Sequence, residues 1–222
     1  ADILPALYSD NISLEKTISM LKEIEKHGII DYEKRTKKYT FKSITIHDVI
    51  YSTILGYTKR ELNRKIISYL EEKYKNNASN YAERLLYHAK EARDFKRIFE
   101  YATMAAKKAE KTFAVKDAIH FYLIAIEALH QLPEENSSDK YKIELQLSEA
   151  YRANGDYDRL YDVLNAIIEN CKDEQILAQA HQSLERYYQE RGKIETATQN
   201  PEKKSKSSGK KNSKKGNGKS QK

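Results

Sequence analysis

The sequence predicts a mostly α-helical protein that has one short β-hairpin and ends in a disordered, lysine-rich tail. The first 200 residues contain only four of the seven glycines and two of the three prolines. Both residue types are costly inside helices. Apolar residues recur in this body at spacings of three and four, which is the helical period. Residues 199–222 are predicted to be disordered, because the sequence from Pro201 onward has no apolar side chains to bury.

The net charge of +7 belongs to the tail. The chain has 40 Lys and Arg against 33 Asp and Glu, but residues 201–222 alone hold nine lysines and the single acid Glu202. The first 200 residues therefore carry a net charge of −1. A near-neutral body argues against a basic nucleic-acid-binding domain as the main unit of this chain.

The first element is predicted to be a helix that leads into a hairpin. Ser13 is a plausible N-cap, and the apolar stripe that follows it ends at Gly28, which fits the C′ position. The β-rich runs 29–32 and 39–41 flank the basic turn 33–38, which indicates two paired strands. The stripe consists of Leu14, Ile18, Leu21 and Ile24.

A helix followed by a hairpin is the second half of a winged helix. With a further helix over 44–55, residues 1–56 are interpreted as a partial winged-helix-like domain. A helix over 59–74 dominates residues 57–80, which are interpreted as a helical linker. The basic turn of the hairpin would be the wing, but the preceding helix has equal numbers of Lys and Glu, which is unfavourable for contact with phosphates.

Residues 81–198 are predicted to form an α-solenoid of tetratricopeptide-like helix pairs. Three residues, Leu147, Tyr151 and Gly155, return 37 positions later as Leu184, Tyr188 and Gly192, close to the 34-residue period of such repeats. In each copy the glycine is expected to end a helix. The predicted helices cover 81–92, 94–111, 115–130, 140–153, 156–169 and 174–190.

Two stretches contain a more specific pattern. Residues 41–55 read FKSITIHDVIYSTIL, and residues 60–71 read RELNRKIISYLE. They resemble the region that follows the ATPase module in signalling ATPases of the STAND class. The resemblance extends over residues 3–190 and departs from the family at Ser43 and Asn63, where histidine is usual and where a packing role is expected.

The family resemblance implies an architecture and a regulatory role. In that family an ATPase module precedes a winged helix and tetratricopeptide-like repeats, and many members also carry a class III nucleotide cyclase. This chain has no G-x-x-x-x-G-K-[ST] phosphate-binding motif. We therefore expect a non-catalytic C-terminal region or fragment of a larger protein, which binds a peptide or its own catalytic module.

Two alternatives remain open at this point. One is that the chain is part of an ATP-dependent class III adenylate or guanylate cyclase whose active sites lie upstream. The other is a nucleic-acid-binding adaptor that uses the wing and the tail. The expected location is cytoplasmic, with a nuclear alternative because Lys203, Lys204 and Lys206 fit a short import signal.

The candidate site residues are tyrosines and tail lysines. No catalytic, metal or cofactor site is expected, since the six histidines form no i, i+4 pair and Cys171 is the only cysteine. No apolar run is long enough to span a membrane. The candidate peptide-binding face comprises Tyr151, Tyr157, Tyr161, Tyr187 and Tyr188. The candidate electrostatic contacts of the tail, whether for tethering, targeting or solubility, are Lys203, Lys204, Lys206, Lys210, Lys211, Lys214 and Lys215.

Overall fold

A computed structural model describes Leu4 and residues 13–132 and 137–199. These residues form a mostly helical chain with one two-stranded antiparallel sheet, which confirms the predicted class. The predicted disorder of the tail lies outside the described residues. The elements are α1 (Leu14–Lys26), β1 (Ile30–Glu33), β2 (Lys38–Phe41), α2 (Ile44–Thr53), α3 (Gly56–Lys73), a 3₁₀ turn (Ala78–Tyr81), α4 (Ala82–Ala92), α5 (Phe95–Lys111), α6 (Val115–Leu129), α7 (Ser137–Asn154), α8 (Tyr157–Asn170) and α9 (Glu174–Gln199).

The predicted first helix and hairpin are both present. The Ser13 Oγ accepts a hydrogen bond from the Lys16 amide at 3.2 Å, so Ser13 caps α1 as expected. Strands β1 and β2 pair in a register that places Tyr32 opposite Tyr39, with ring centroids 4.8 Å apart. The apolar stripe of α1 is less buried than predicted, because only Thr17 of this helix is buried among the described residues.

Helix α2 connects the hairpin to the helices that follow. Its N-cap is Ser43, whose Oγ accepts from the Thr45 amide at 3.2 Å, so this residue caps a helix and is not the packing position expected. None of the residues of α2 is buried. The Tyr51 hydroxyl donates to Glu91 Oε2 at 2.7 Å, and this hydrogen bond raises the pKa of Tyr51 to about 12. This contact ties α2 to α4.

Helices α4 to α9 pack mainly against their neighbours in the chain, and α7 also contacts α9. One hydrophobic core runs through them and extends to Ile67 and Leu70 of α3. The alanines of α5 are buried, and their small side chains let the neighbouring helices approach closely. The largest fully buried side chains of α4 to α9 are Tyr122, Leu85, Leu160, Leu164 and Ile167.

Two of the interhelical turns combine a left-handed residue with an aspartate cap. At the end of α4, Arg93 is left-handed (φ 52°), and the Asp94 amide bonds the Ala89 carbonyl at 3.0 Å. At the end of α7, Gly155 is left-handed (φ 76°), and the Asp156 amide bonds the Tyr151 carbonyl at 2.9 Å. In both turns the aspartate caps the next helix through an amide three residues on. Tight turns of this kind hold successive helices antiparallel.

The predicted end of the last helix is wrong. Gly192 was expected to terminate it as Gly155 terminates α7, but α9 continues through Gly192 to Gln199. A glycine inside a helix costs only about 1 kcal/mol relative to alanine. The residues after Gly192 include Lys, Ile, Glu and Ala, which supply enough helix propensity to offset that cost.

These two glycines are expected to respond in opposite ways to alanine. Gly155→Ala should lower the free energy of unfolding by about 1 kcal/mol, because a side chain disfavours the left-handed backbone. Gly192→Ala should raise it by about 0.5–1 kcal/mol, because the helix loses its most flexible residue and, among the described residues, the added Cβ has no neighbour within 4 Å beyond the adjacent residues and the backbone of its own helix. Urea unfolding of the two variants measures both changes. Equal destabilisation by both would show that α9 ends at Gly192.

Candidate peptide-binding groove

The structure brings together four of the five predicted tyrosines. Tyr157 and Tyr161 of α8 face Tyr187 and Tyr188 of α9, while Tyr151 lies apart in the core of α7, 5 % exposed. We call the first four the tyrosine cluster. Its ring-centroid distances are 6.2 Å for Tyr157–Tyr187, 5.5 Å for Tyr161–Tyr187, 6.5 Å for Tyr161–Tyr188 and 5.2 Å for Tyr187–Tyr188.

Only part of the tyrosine cluster offers surface to a ligand. Tyr187 is 4 % exposed, and its hydroxyl accepts a hydrogen bond from Arg191 Nη1 at 2.7 Å. Tyr161 and Tyr188 are 37 % and 56 % exposed, and the neighbouring Tyr161 hydroxyl raises the pKa of Tyr188. The exposed pair forms the edge of the α8–α9 contact, and the buried ring of Tyr187 packs it in place.

A separate groove lies where α5, α7 and α9 come together. Its volume is about 370 Å³. Phe99, Ile143 and Leu145 supply apolar surface, whereas the other lining residues are polar or charged. Those residues are Thr103 and Lys107 of α5, Asp139, Lys142 and Gln146 of α7, and Gln179 of α9.

Some polar groups of this groove are held by hydrogen bonds or ion pairs with neighbouring residues, and others have capacity left to bind a ligand. Gln146 Oε1 accepts from the buried Tyr122 hydroxyl at 3.1 Å, which leaves the amide nitrogen of Gln146 to donate elsewhere. Lys142 is paired with Asp139 at 3.2 Å, whereas Lys107 has no acidic partner within 4.0 Å among the described residues. The Thr103 Oγ1 is buried without a hydrogen-bond partner in the described part of the chain. The groove therefore presents donors and a cation beside an apolar wall.

The sequence gives no direct signal for this groove, because its lining residues are mostly polar and come from three separate helices. Phe99, Thr103 and Lys107 repeat every four residues on α5, so they share one face. That spacing was visible in the sequence, but nothing in it places this face against α7 and α9. The groove is a product of tertiary packing.

Asn63, the second position at which a packing role was expected, has a clear structural partner. Asn63 of α3 is 7 % exposed, and its Oδ1 lies 2.8 Å from His88 Nδ1 of α4. Burial lowers the pKa of His88, so this imidazole is neutral near pH 7. The pair satisfies two polar groups between two helices.

The basic side chains of the predicted wing are exposed. The tail lysines lie outside the described residues; they are Lys203, Lys204, Lys206, Lys210, Lys211, Lys214 and Lys215. Lys34, Arg35, Lys37 and Lys38 are all exposed at the hairpin. Several large apolar residues of the same region are also exposed, among them Ile44 at 73 % and Leu55 at 75 %. The surface before α3 thus combines cations with apolar side chains.

Searches of the described residues for other kinds of site give limited findings. No helix among them is long and apolar enough to cross a membrane, and no three His, Cys, Asp or Glu side chains there are grouped to hold a metal ion. Comparisons with protein-family models, with curated proteins and with solved structures find no significant match to this chain.

Proposed function

We propose that this chain is a non-catalytic protein-interaction region that binds an extended peptide segment in the groove of α5, α7 and α9. The observation that carries the proposal is the groove itself. It crosses three helices that are not consecutive in the chain, and its open donors and cation lie beside apolar surface. Such a mixture suits a peptide, which offers a carbonyl at every residue and side chains in alternation.

The groove also indicates the chemistry of the peptide. The amide groups of Gln146 and Gln179 can donate to peptide carbonyls or to a carboxylate. Lys107, which has no acidic partner among the described residues, favours an acidic side chain or a C-terminal carboxylate beside it. Phe99 and Ile143 favour an apolar residue next to that charge. We therefore propose a peptide in which an apolar residue accompanies an acidic group.

We further propose that helices α4 to α9 are a tetratricopeptide-like solenoid, that α3 is a helical linker, and that residues 1–56 are a partial winged-helix-like domain. The neighbour-to-neighbour packing of α4 to α9 and the helix-then-hairpin order support these assignments. In this proposal the chain belongs to a larger STAND-like ATPase or cyclase, and peptide binding changes the activity of the catalytic module. A coding sequence for such a module directly upstream would support this part.

Nucleic-acid binding is the second candidate, and the exposed wing favours it. Four basic side chains are exposed on the wing. Helix α1, however, has as many Glu as Lys residues, so it offers no net attraction to phosphates. The test is duplex binding by the full chain with the tail intact. Loss of that binding when the charges of Lys37 and Lys38 are reversed by substitution would favour this candidate over peptide binding.

The peptide proposal predicts which substitutions weaken binding. Peptides selected from a random library on the full chain should lose about tenfold in affinity for Lys107→Ala or Gln179→Ala, because each change removes a donor to the peptide. Fluorescence anisotropy of a labelled selected peptide measures the dissociation constant.

Two matched variants control this experiment. Lys111→Ala and Gln182→Ala change exposed residues of the same helices that do not line the groove. They should leave the affinity unchanged within about twofold. Selected peptides that bind the groove variants and the parent chain equally would contradict the proposal, as would a selection that yields no binder.

A further inference from the structure

A second cavity lies away from the groove, between α4, α5 and α6. Its volume is about 250 Å³. Phe95, Ile98, Ile124 and Ala128 form its apolar surface, and Ile98 and Ala128 are 7 % and 3 % exposed. The cavity therefore has a buried apolar floor of its own, and it shares no residue with the groove.

Two cations line the same cavity at the surface. Lys90 of α4 and Arg93 of the following turn are both exposed, and neither has a carboxylate partner within 4.0 Å among the described residues. Arg97, one helical turn further on, is instead held by Glu71 and Asp94 at 2.9 and 3.0 Å. Glu127 also lines the cavity, so the charged lining residues sum to one positive charge.

Arg93 ends α4 in a left-handed backbone conformation, with φ 52°. The equivalent position of the matching turn after α7 is Gly155, which adopts the left-handed conformation without strain. Arg93 adopts the same conformation at a cost of about 1 kcal/mol. Lys37 and Phe113 are left-handed as well, at φ 54° and 59°, so it is the place of the Arg93 side chain beside the cavity, and not its backbone, that matters for a ligand. The turn tolerates arginine here, and the result is a guanidinium at the mouth of an apolar cavity.

We propose that this cavity binds a small amphipathic carboxylate, with its apolar group on the floor and its charge at Lys90 and Arg93. A cavity of 150 Å³ accommodates benzene, so this one has room for roughly ten non-hydrogen atoms. The carboxylate could belong to a free small acid or to the C-terminal residue of a peptide, since both present the same chemistry. The proposal does not depend on peptide binding in the groove.

The test uses the full chain, isotopically labelled, and follows amide chemical shifts during titration. The free-acid probe is 3-phenylpropionate, and 3-phenylpropan-1-ol is its neutral counterpart. The peptide probe is Gly-Ser-Gly-Phe with a free carboxylate, compared with its C-terminal amide. We expect saturable shifts in residues 90–98 and 124–131 with at least one carboxylate probe, and about tenfold weaker binding of its neutral counterpart.

Substitutions separate this site from adventitious binding. Arg93→Gly removes the cation and suits the left-handed turn, so the variant should fold at least as well as the parent chain. Arg93→Gly and Lys90→Gln should each weaken carboxylate binding about tenfold, whereas Lys96→Gln, an exposed lysine outside the cavity, should not change it.

The outcomes are distinguishable. Binding of the free acid alone assigns the site to small acids, and binding of the peptide acid alone assigns it to a peptide terminus. Absence of saturable shifts in these residues would overturn the proposal. Equal affinity for acid and neutral probe, or unchanged affinity in both cation variants, would overturn it as well.

Discussion

Replacing Tyr122 with alanine is expected to lower the free energy of unfolding by about 3–5 kcal/mol. Tyr122 is fully buried on α6, and it belongs to the core that joins α4 through α9. Removal of its ring leaves a cavity that close-packed neighbours fill only in part. Burial also raises the pKa of its hydroxyl, which therefore stays protonated and donates to Gln146.

Urea unfolding monitored by circular dichroism measures this change, and two variants separate its causes. Tyr122→Phe keeps the ring and removes the hydroxyl, so it should cost only about 1 kcal/mol. Tyr87→Ala removes a ring that is 59 % exposed, and it should cost at most about 0.5 kcal/mol. A loss for Tyr122→Ala as small as that for Tyr87→Ala would show that Tyr122 is not buried in the core.

Arg97→Ala is expected to lower the free energy of unfolding by about 1–2 kcal/mol. The Arg97 guanidinium donates to both Glu71 oxygens, at 2.9 and 3.1 Å, and to Asp94 at 3.0 Å. The Tyr101 hydroxyl also donates to Glu71. The network thus joins α3 to α5, and its partial exposure to solvent keeps the loss below that of a fully buried pair.

The matched control occupies the equivalent turn. Arg159 pairs with Asp156 at 3.6 Å and is 65 % exposed, so Arg159→Ala should change the free energy of unfolding by about 0.5 kcal/mol or less. Similar losses in the two variants would contradict a special role for the α3–α5 network.

The same network should make stability depend on pH. Burial alone would raise the pKa of Glu71, but hydrogen bonds from Arg97 and Tyr101 outweigh it, so the pKa lies below its ordinary value. The unfolded state then binds the proton at a higher pH than the folded state. The stabilisation is therefore complete above the ordinary carboxyl pKa and is lost as pH falls through the lowered value.

Unfolding measured at neutral pH and through the acid range tests this dependence. Glu71→Gln should reduce the slope of stability against pH in the acid range, because the titrating group is gone. Glu61→Gln is the control, since Glu61 lies on the same helix at the limit of ion-pair distance from Lys65, 4.0 Å. Identical slopes in Glu71→Gln and the parent chain would contradict the assignment.

Most helix boundaries could be predicted from the sequence because local signals coincide there. The predicted helix 94–111 is observed as Phe95–Lys111, and 115–130 as Val115–Leu129. In the first of these helices, the aspartate cap and the apolar stripe both indicate the same starting point. The end of α9 was mispredicted because a glycine is a stop signal only where its backbone turns left-handed, and the sequence alone does not reveal that conformation.

The candidate sites were harder to predict. Tyr157, Tyr161, Tyr187 and Tyr188 do come together, but Tyr151 is buried in the core. The groove combines side chains from α5, α7 and α9, which are up to 80 positions apart in sequence, from Phe99 to Gln179. Helical periodicity assigns a residue to a face, and only packing decides which faces meet.

The successive packing of α4 to α9 has a kinetic consequence. Because nearly all their contacts join neighbours in the chain, the average loop that folding must close is short, which favours rapid folding. Helix α9 packs mainly against α7 and α8, whereas α6 lies between α5 and α7, so amide hydrogens of α9 should exchange with solvent sooner than those of α6, even though both are regular helices. A peptide that spans α5, α7 and α9 would slow exchange most in α9, and the change would map the ligand without a structure of the complex.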